Sequence, residues 1–369
     1  MSKDINQFDA IAPLNAERSS SHLLEGTALS ICHELRTPLT AIQGALGLLQ
    51  TGQLGFLSDE GMRLLAIALN NVSRLTRLAD AIENEPLSSM LVLSDDTIEQ
   101  FHLGNELHEA IDLEQLHLVY QPIVSVENHQ VVGFEALARW KHPFKGNISP
   151  DLFIPLAEKT GCIHQLGLWV LEQACHRLYA WQQQFPRPVP ISMSVNLSAL
   201  QLLQPNLIQE IQQILEKTMI SPDTLKLEIT ESALIENQQA AITLLSELRA
   251  MGIQLYVDDF GTGYSSLGRL QELPIDTLKI DRSFVQGKQW DISETIVLLA
   301  AKLGLSVIAE GVETAEDLAA LQSLGCTQMQ GYHFSKPLEG HAVTAFMLIL
   351  SSHELTDPSS AVYASHCEV

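Results

Sequence analysis

The sequence of 369 residues has little positive charge. It contains 21 Lys and Arg against 44 Asp and Glu, which gives a formal net charge of -23 at pH 7. This balance argues against binding nucleic acid or an anionic membrane through bulk electrostatics. If the substrate carries phosphate, metal ions or a few placed basic side chains must reverse the sign of the charge locally.

Long apolar runs are also lacking. The longest, Ile296 to Ala301 and Ala345 to Leu350, are too short to cross a bilayer. The start of the chain, Met1 to Gln7, has no apolar signal core. We therefore expect a soluble, cytoplasmic protein without a membrane partner, and its 46% hydrophobic residues are ample for a core.

Cysteine and histidine do not form the usual structural patterns. The five cysteines are scattered, odd in number and without Cys-x-x-Cys spacing, so reduced thiols fit better than a disulfide or zinc framework. The 13 histidines include no His-Glu-x-x-His. Zinc chemistry of the common kinds is therefore not indicated.

A helical hairpin is predicted near the start of the chain. Apolar residues recur at steps of four and three from Ala28 to Leu49 and again from Leu65 to Ile82. Gly52 and Gly55 separate the two runs, and Ser58 with the acids after it is a plausible helix start. Because a lone hairpin leaves an apolar seam uncovered, we expect an all-α four-helix bundle in a homodimer, with docking on the following domain as the alternative.

The rest of the chain alternates short apolar runs with helical segments such as Asn105 to Glu114, Pro155 to Gln184 and Gln238 to Met251. Eight runs of this kind predict an α/β fold, a TIM-like (β/α)8 barrel. The runs are 116–126, 131–140, 191–197, 225–230, 253–257, 277–280, 305–309 and 327–334. The predicted domains are a flexible N-terminus 1–20, the hairpin 21–84, a linker 85–102 rich in Pro, Ser and acid, the barrel 103–350 and a tail 351–369.

Polar residues fall near the carboxyl ends of the predicted strands, which meet on one face of such a barrel. Each one alone is more often an ordinary surface or ion-pair residue, but together they are hard to dismiss. Carboxylate and amide oxygens suit Mg²⁺ or Mn²⁺ better than zinc or copper. The residues are Glu135, Arg139, Asn196, Glu228, Asp258, Asp259, Lys279, Asp281, Glu310 and Gln330.

Asp258 and Asp259 end a short apolar run and precede a glycine-broken turn with Gly261 and Gly263. Adjacent residues of a regular strand point to opposite faces, but at a strand end that opens into a turn both carboxylates can reach one cavity. Two interpretations stay open for this segment alone, a cation site and a solvated acidic turn. The two glycines do not match a GxGxxG dinucleotide fingerprint, which favours a mobile loop.

Within the first predicted helix, the segment Ser-Ile-Cys-His-Glu-Leu-Arg-Thr-Pro-Leu-Thr-Ala-Ile over 30–42 resembles the H-box of the dimerisation and phosphotransfer domain of sensor histidine kinases. The resemblance implies that His33 is the phosphoacceptor. No ATP-binding domain with that family's patterns follows, so phosphorylation of His33 requires a partner kinase or response regulator. A hairpin that serves only dimerisation is the alternative.

The barrel region resembles the EAL-domain cyclic-di-GMP phosphodiesterases over residues 103 to 350. Eight ordered motifs carry the resemblance, and together they are specific, whereas the tripeptide Glu-Ala-Leu alone is not. They are Tyr120-Gln121-Pro122-Ile123, Glu135-Ala136-Leu137, Val195-Asn196-Leu197-Ser198, Leu227-Glu228-Ile229-Thr230-Glu231, Asp258-Asp259-Phe260-Gly261, Leu278-Lys279-Ile280-Asp281, Ala309-Glu310-Gly311-Val312-Glu313 and Gln330-Gly331-Tyr332.

The resemblance implies a role for each matching residue. Two Mg²⁺ or Mn²⁺ ions would bracket a phosphodiester and supply hydroxide. Lys279 would orient water or stabilise charge, and Glu310 would be a second-site ligand or proton acceptor. Glu231 would brace the turn after Asp259. The implied metal ligands are Glu135, Asn196, Glu228, Asp258 and Asp259, and the implied substrate contacts are Gln121, Arg139 and Gln330.

The implied reaction is hydrolysis of cyclic di-GMP to linear pGpG. Every metal and loop position matches the family pattern, and the chain contains no Gly-Gly-Asp/Glu-Glu-Phe motif of a cyclase. We expect a phosphodiesterase regulated through its N-terminal hairpin. The alternatives are a receptor that binds cyclic di-GMP without cleaving it and a phosphorelay-coupled signalling module.

Overall fold

The computed structural model describes residues 38–40, 42, 46, 72, 95–231, 233, 238–263 and 270–352. The chain divides into two compact units, Met1–Glu99 and Gln100–Val369. The few described residues of the predicted hairpin are helical. The remainder of that hairpin, with His33, lies outside the described residues, as do the predicted N-terminal segment 1–20 and residues 353–369.

From Asp95 onward, the chain alternates strands and helices. The strands are β1 Leu116–Ser125, β2 Gln130–His142, β3 Gly146–Ile148, β4 Ser192–Asn196, β5 Leu225–Thr230, β6 Gln254–Phe260, β7 Thr277–Ile280, β8 Ser306–Ala309, β9 Gln328–Met329 and β10 Leu338–Glu339. The helices are α1 Asp95–Asp112, α2 Pro150–Thr160, α3 Ile163–Gln184, α4 Leu207–Thr218, α5 Gln238–Ala250, α6 Arg282–Gln286, α7 Trp290–Leu303, α8 Ala315–Ser323 and α9 Gly340–Ser352. Across the described part of the chain, no helix combines the length and apolar character that a membrane span requires.

Eight of these strands close into a barrel, which confirms the predicted fold class. The strands β2, β4, β5, β6, β7, β8 and β9 pair in that order and are parallel throughout. β1 closes the ring because it pairs with both β2 and β9. The short strands β3 and β10 extend the sheet at β2 and β1.

The barrel departs from a regular (β/α)8 repeat at its first two strands. β1 and β2 are antiparallel and a four-residue turn, 126–129, joins them without a helix. Such a connection is too short for the crossover that parallel strands need, so it produces a hairpin. The expectation of helices between the successive runs is wrong at this point.

Several element boundaries also differ from the predicted ones. α1 begins at Asp95, within the predicted linker and ten residues before Asn105. The predicted helix over 155–184 is two helices, because Gly161 (φ +76°) ends α2 in the left-handed conformation. The predicted final strand over 327–334 shortens to β9.

Side chains inside the barrel come from alternate residues of each strand. On β5, the apolar residues Leu225, Leu227 and Ile229 belong to the large core packed with the helices. Lys226 and Glu228 alternate with them and are buried within the ring. The same alternation delivers a polar residue to the carboxyl end of several neighbouring strands, and this positions the site described below.

Lys226 is an unusual buried cation in the amino-terminal half of the barrel. Its Nζ donates to the carbonyl oxygen of Asp223 at 2.5 Å. Burial lowers the pKa of Lys226 from 10.5 to about 8, although the charges of Asp223 and Asp276 oppose the shift. The folded protein therefore holds this proton less tightly than an exposed lysine does.

This shift predicts a pH dependence of stability. Between pH about 8 and 10.5 the unfolded chain binds more protons at Lys226 than the folded chain does. The free energy of unfolding should therefore rise with pH across that window. Below the window, the cost of burying the charge of Lys226 is fully present. We expect Lys226→Met to be more stable than the wild type near neutral pH. This difference in the free energy of unfolding should shrink by about 1 to 3 kcal/mol near pH 10.

Intrinsic fluorescence can follow this transition during urea unfolding because all four tryptophans lie in the barrel unit. Lys302→Met, which removes an exposed lysine from α7, is the matched control and should show a difference from wild type that does not change with pH. A constant difference for Lys226→Met as well would contradict the assignment of a lowered pKa.

Candidate functional site

One buried lysine organises the carboxyl ends of the parallel strands. Lys279, on β7, is 0% exposed and its Nζ lies among four carboxylates from four other strands or strand ends. The distances from Nζ are 2.5 Å to Glu310 Oε1, 2.6 Å to Glu228 Oε2, 3.1 Å to Asp258 Oδ1 and 3.6 Å to Glu135 Oε2. Burial alone would lower the pKa of Lys279, but the surrounding carboxylates outweigh it and raise the pKa well above its usual range.

Glu135 connects this cluster to two amide side chains. Its Oε1 accepts a hydrogen bond from Asn196 Nδ2 at 2.8 Å, and its Oε2 accepts one from Gln330 Nε2 at 2.6 Å. Burial opposes its ionisation, yet Lys279 and these two amides lower its pKa below the usual value. Gln330 Nε2 also donates to Gln121 Oε1 at 3.1 Å, so Gln121 joins the same network.

The remaining carboxylates are not fully compensated. Burial raises the pKa of Glu228 well above its usual value, and Glu135, Asp258 and Glu310 add to the rise. Its atom Oε1 is buried without a hydrogen-bond partner. Burial likewise raises the pKa of Glu310 to about 8. One ammonium group therefore faces more carboxylates than it can neutralise at a site with little water, and the raised pKa values of Glu228 and Glu310 reflect this excess.

The sequence predicted that Asp258 and Asp259 follow the strand, but in the structure both lie inside β6. The pairing of β6 with β7 shifts register between Val257 and Phe260, and Asp259 adopts φ +53°. This irregularity lets the neighbouring carboxylates face one side, which a regular strand would not allow. Ligand oxygens of Asp258, Asp259 and Glu310 lie within 4.8 Å of one another.

The chain after Asp259 is held by Glu231. Glu231 is buried, and its Oε2 accepts a hydrogen bond from the backbone N–H of Gly261 at 2.9 Å. A Cβ on Gly263 would stand 2.7 Å from Glu231 Oε1, so this glycine leaves room for the carboxylate. Residues 264–269, which complete the predicted loop, lie outside the described residues.

Arg139 stands apart from the carboxylates. It is half-buried on β2, and its Nη1 donates to the neighbouring Ala138 carbonyl at 2.9 Å. Burial lowers the pKa of Arg139, and the charges of Tyr332, Glu135 and Glu339 oppose this shift, so its guanidinium interacts with the cluster through the charge of Glu135. The role of Arg139 as a substrate contact stays a prediction.

The residues present fit a divalent cation. The cluster has more carboxylates than positive charge, one buried and unpartnered oxygen on Glu228, and three carboxylates close enough to share an ion. All these donors are oxygens, which Mg²⁺ and Mn²⁺ prefer. The geometry thus makes a metal-assisted reaction on an anionic substrate chemically reasonable.

Asp281 is one of the predicted polar residues at the strand ends that received no individual role, and it stands beside this site. Burial raises the pKa of Asp259 to about 6, and the charges of Asp258 and then Asp281 contribute to the rise. Asp281 also caps α6, because its Oδ1 accepts from the backbone N–H of Ser283 at 3.0 Å. The sequence signal was its position two residues after Lys279, at the end of the same strand.

Comparison with family models identifies both parts of the chain. Residues 104–337 match the model of the EAL domain. Residues 23–84 match the model of the His Kinase A (phospho-acceptor) domain. The two matches do not overlap, and the first covers more than half of the chain.

Curated relatives share the barrel region. The chain is 41% identical over 254 residues to the cyclic di-GMP phosphodiesterase NbdA of Pseudomonas aeruginosa, covering 68% of this chain and 32% of NbdA. It is 41% identical over 252 residues to the bifunctional diguanylate cyclase/cyclic di-GMP phosphodiesterase MucR of the same organism, covering 67% of this chain and 36% of MucR. The chain therefore spans about a third of the length of these relatives.

Solved structures agree with the barrel. The PaMucR phosphodiesterase in a c-di-GMP complex is 40% identical, with a TM-score of 0.63, covering 66% of this chain and 99% of that one. The EAL enzyme Bd1971, in a cAMP and cyclic-di-GMP bound form, is 32% identical with a TM-score of 0.66, covering 76% of each chain.

Proposed function

Since the chain belongs to the EAL-domain family, we propose that it is a metal-dependent phosphodiesterase that hydrolyses cyclic di-GMP to linear pGpG. The observation that supports this most strongly is the cluster of four carboxylates around Lys279 at the carboxyl ends of the barrel strands. An acidic, oxygen-only cluster of this kind cannot hold a phosphodiester by itself. It becomes a phosphate site once cations reverse its charge.

Two groups of residues would hold the metal. Glu135, Asn196, Glu228 and Asp258 would form the first site, and Asp259 with Asp258 and Glu310 the second. The chemistry that Mg²⁺ or Mn²⁺ supplies, when bound, is neutralisation of phosphate charge and a lower pKa for the attacking water. In the reaction, water adds to phosphorus, one P–O bond breaks, and the leaving 3′ oxygen takes a proton.

The chain's own side chains then have distinct tasks. Lys279, held by the surrounding carboxylates, keeps a positive charge beside the reacting phosphate and orients water. Glu310 serves as second-site ligand or as proton acceptor at its carboxylate oxygens. Gln121, Gln330 and Arg139 contact phosphate or guanine, since a guanidinium can donate two parallel hydrogen bonds to phosphate oxygens. Glu231 supports the chain around Gly261.

Removal of metal should abolish the reaction. We expect the purified chain, after treatment with a chelator, to leave cyclic di-GMP intact, and we expect added Mg²⁺ or Mn²⁺ to restore formation of pGpG. Chromatography of the guanine nucleotides follows both compounds. Binding of cyclic di-GMP without cleavage in the presence of metal would favour the receptor alternative, and cleavage unaffected by chelation would contradict metal dependence.

The N-terminal hairpin is proposed to regulate the enzyme as a homodimerisation module, with His33 as a phosphoacceptor for a partner kinase or response regulator. The match of residues 23–84 to the His Kinase A domain supports this. Light scattering of the full chain should give the mass of two chains. A single-chain mass would overturn the dimer, and absence of acid-labile label at His33 with a cognate kinase would overturn the phosphoacceptor role.

A further inference from the structure

The chain that follows Asn196 is fixed by a contact from outside the barrel. Asn196 is the last residue of β4, and it is exposed, so side-chain packing does little to immobilise it. The Leu197 N–H donates to the Glu228 carbonyl at 2.8 Å, so Leu197 continues the pairing of β4 with β5 beyond Asn196. Apart from the hydrogen bond from its Nδ2 to Glu135 Oε1, the position of Asn196 therefore depends on the backbone before and after it.

Ser198 anchors this backbone to helix α2. Its Oγ donates to Glu158 Oε1 at 2.6 Å and accepts from the Leu200 N–H at 3.3 Å. A hydrogen bond of a hydroxyl to a carboxylate is stronger than one between neutral groups. The link joins residues 40 positions apart, so it ties the end of a barrel strand to a separate helix.

Gln201 makes the anchor rigid. Its side chain is 2% exposed and its Oε1 accepts from the Ser198 N–H at 3.1 Å. The same side chain packs against Gly167 in α3. It fits there because glycine has no side chain, since a Cβ would stand 2.1 Å from Gln201 Nε2. Two helices therefore hold the turn after β4, α2 through Glu158 and α3 through Gly167.

Helix α2 is itself packed from its other side. A Cβ added to Gly104 of α1 would stand 2.9 Å from Thr160 Cγ2 and 3.3 Å from Leu156 Cδ1, so α1 approaches α2 closely at this glycine. Leu156 and Thr160 flank Glu158 in the sequence of α2. Glu158 is thus carried on a helix with little freedom to shift, which suits a fixed support.

We propose that the Glu158–Ser198 hydrogen bond is a positioning device for Asn196 in the metal site. This inference rests on the proposed function, because it requires that Asn196 acts toward a divalent cation. Asn196 Nδ2 donates to Glu135 Oε1, so the carbonyl oxygen Oδ1 of the same side chain is not used in this hydrogen bond and can serve as the metal ligand. Glu158 and Ser198 are not among the residues proposed to contact substrate or metal. They act by holding the backbone two residues from Asn196.

The test measures metal binding directly. Binding of Mn²⁺ to the full chain is followed by electron paramagnetic resonance of the free ion, with cyclic-di-GMP hydrolysis measured on the same samples. We expect Ser198→Ala and Glu158→Ala each to raise the Kd for Mn²⁺ about tenfold, the size of effect found for groups that orient metal ligands. Glu158→Gln keeps an oxygen acceptor for Ser198 Oγ and should stay within about twofold of the wild type.

Ser246→Ala is the matched control, because its exposed hydroxyl bonds only to a helix carbonyl of α5 in an outer helix. It should bind Mn²⁺ as the wild type does. Thermal unfolding of every variant separates a local effect from loss of fold, and Glu158→Gln provides the folded comparison if Glu158→Ala unfolds.

Unchanged Mn²⁺ affinity in folded Ser198→Ala would overturn the positioning role and leave the proposed function intact. Equal weakening by Glu158→Gln and Glu158→Ala would also overturn it, since the hydrogen bond would then not be the cause. A wild-type chain that binds Mn²⁺ without cleaving cyclic di-GMP would contradict the proposed reaction alone. A wild-type chain that binds no Mn²⁺ would overturn both.

Discussion

Replacement of Glu135 with alanine is expected to lower kcat for cyclic di-GMP by about 10³-fold. Glu135 accepts hydrogen bonds from Asn196 and Gln330 and lies 3.6 Å from Lys279, so it is the carboxylate that joins the amides to the charged cluster. Its loss removes a proposed metal ligand and also releases two side chains that it orients. Steady-state kinetics at saturating Mg²⁺ measures the effect.

Two further variants make the Glu135 result interpretable. Glu135→Gln preserves the shape but replaces one acceptor with an amide N–H₂ that faces another donor, so it should also be strongly impaired. Glu172→Ala removes a carboxylate that contacts Lys217 on the outer surface and should retain wild-type turnover. A Glu135→Ala enzyme with kcat within about tenfold of the wild type would contradict the ligand assignment.

Replacement of Lys279 with methionine is expected to impair both stability and turnover. The ammonium group is fully buried among four carboxylates, and its removal leaves their charges buried without it. Breaking a buried ion pair on one side typically costs about 3 to 5 kcal/mol. We expect the metal-free variant to lose stability on that order and turnover to fall by about 10²-fold or more.

The two effects of Lys279→Met should separate when metal is added. Mn²⁺ supplies positive charge to the carboxylates, so it should recover much of the lost stability, whereas turnover stays low because the ammonium group is still missing. Urea unfolding with and without Mn²⁺ measures the recovery, and Lys302→Met is the control for loss of an exposed lysine. A metal-free Lys279→Met protein as stable as the wild type would contradict the account of the cluster.

The barrel could be predicted because eight apolar runs alternate with helical segments, and the convergence of the site because polar residues stand near the ends of those runs. Alternate residues of β5 send Leu227 to the helices and Glu228 into the ring, and a pattern of this kind is visible in the letters alone. Strand ends that converge on one face then bring Glu135, Glu228 and Lys279 together without any knowledge of distances. The contacts of Lys279 in the structure show this convergence.

Other features depend on contacts that no local pattern encodes. The register shift at Asp259 appears only when β7 is placed beside β6. The bond between Glu158 and Ser198 joins two separate elements. By contrast, two differences have a local signal that the predictions missed. The four-residue connection between β1 and β2 is too short for a crossover, and a glycine after Thr160 is a common helix end.

The most direct measurement of the central claim is hydrolysis of cyclic di-GMP in ¹⁸O-labelled water by the full chain with Mg²⁺, followed by mass spectrometry of the product. The account predicts linear pGpG with one labelled oxygen in its terminal phosphate, formed by the wild type and about 10³-fold more slowly by Glu135→Ala. Intact cyclic di-GMP, or pGpG without the label, would contradict it.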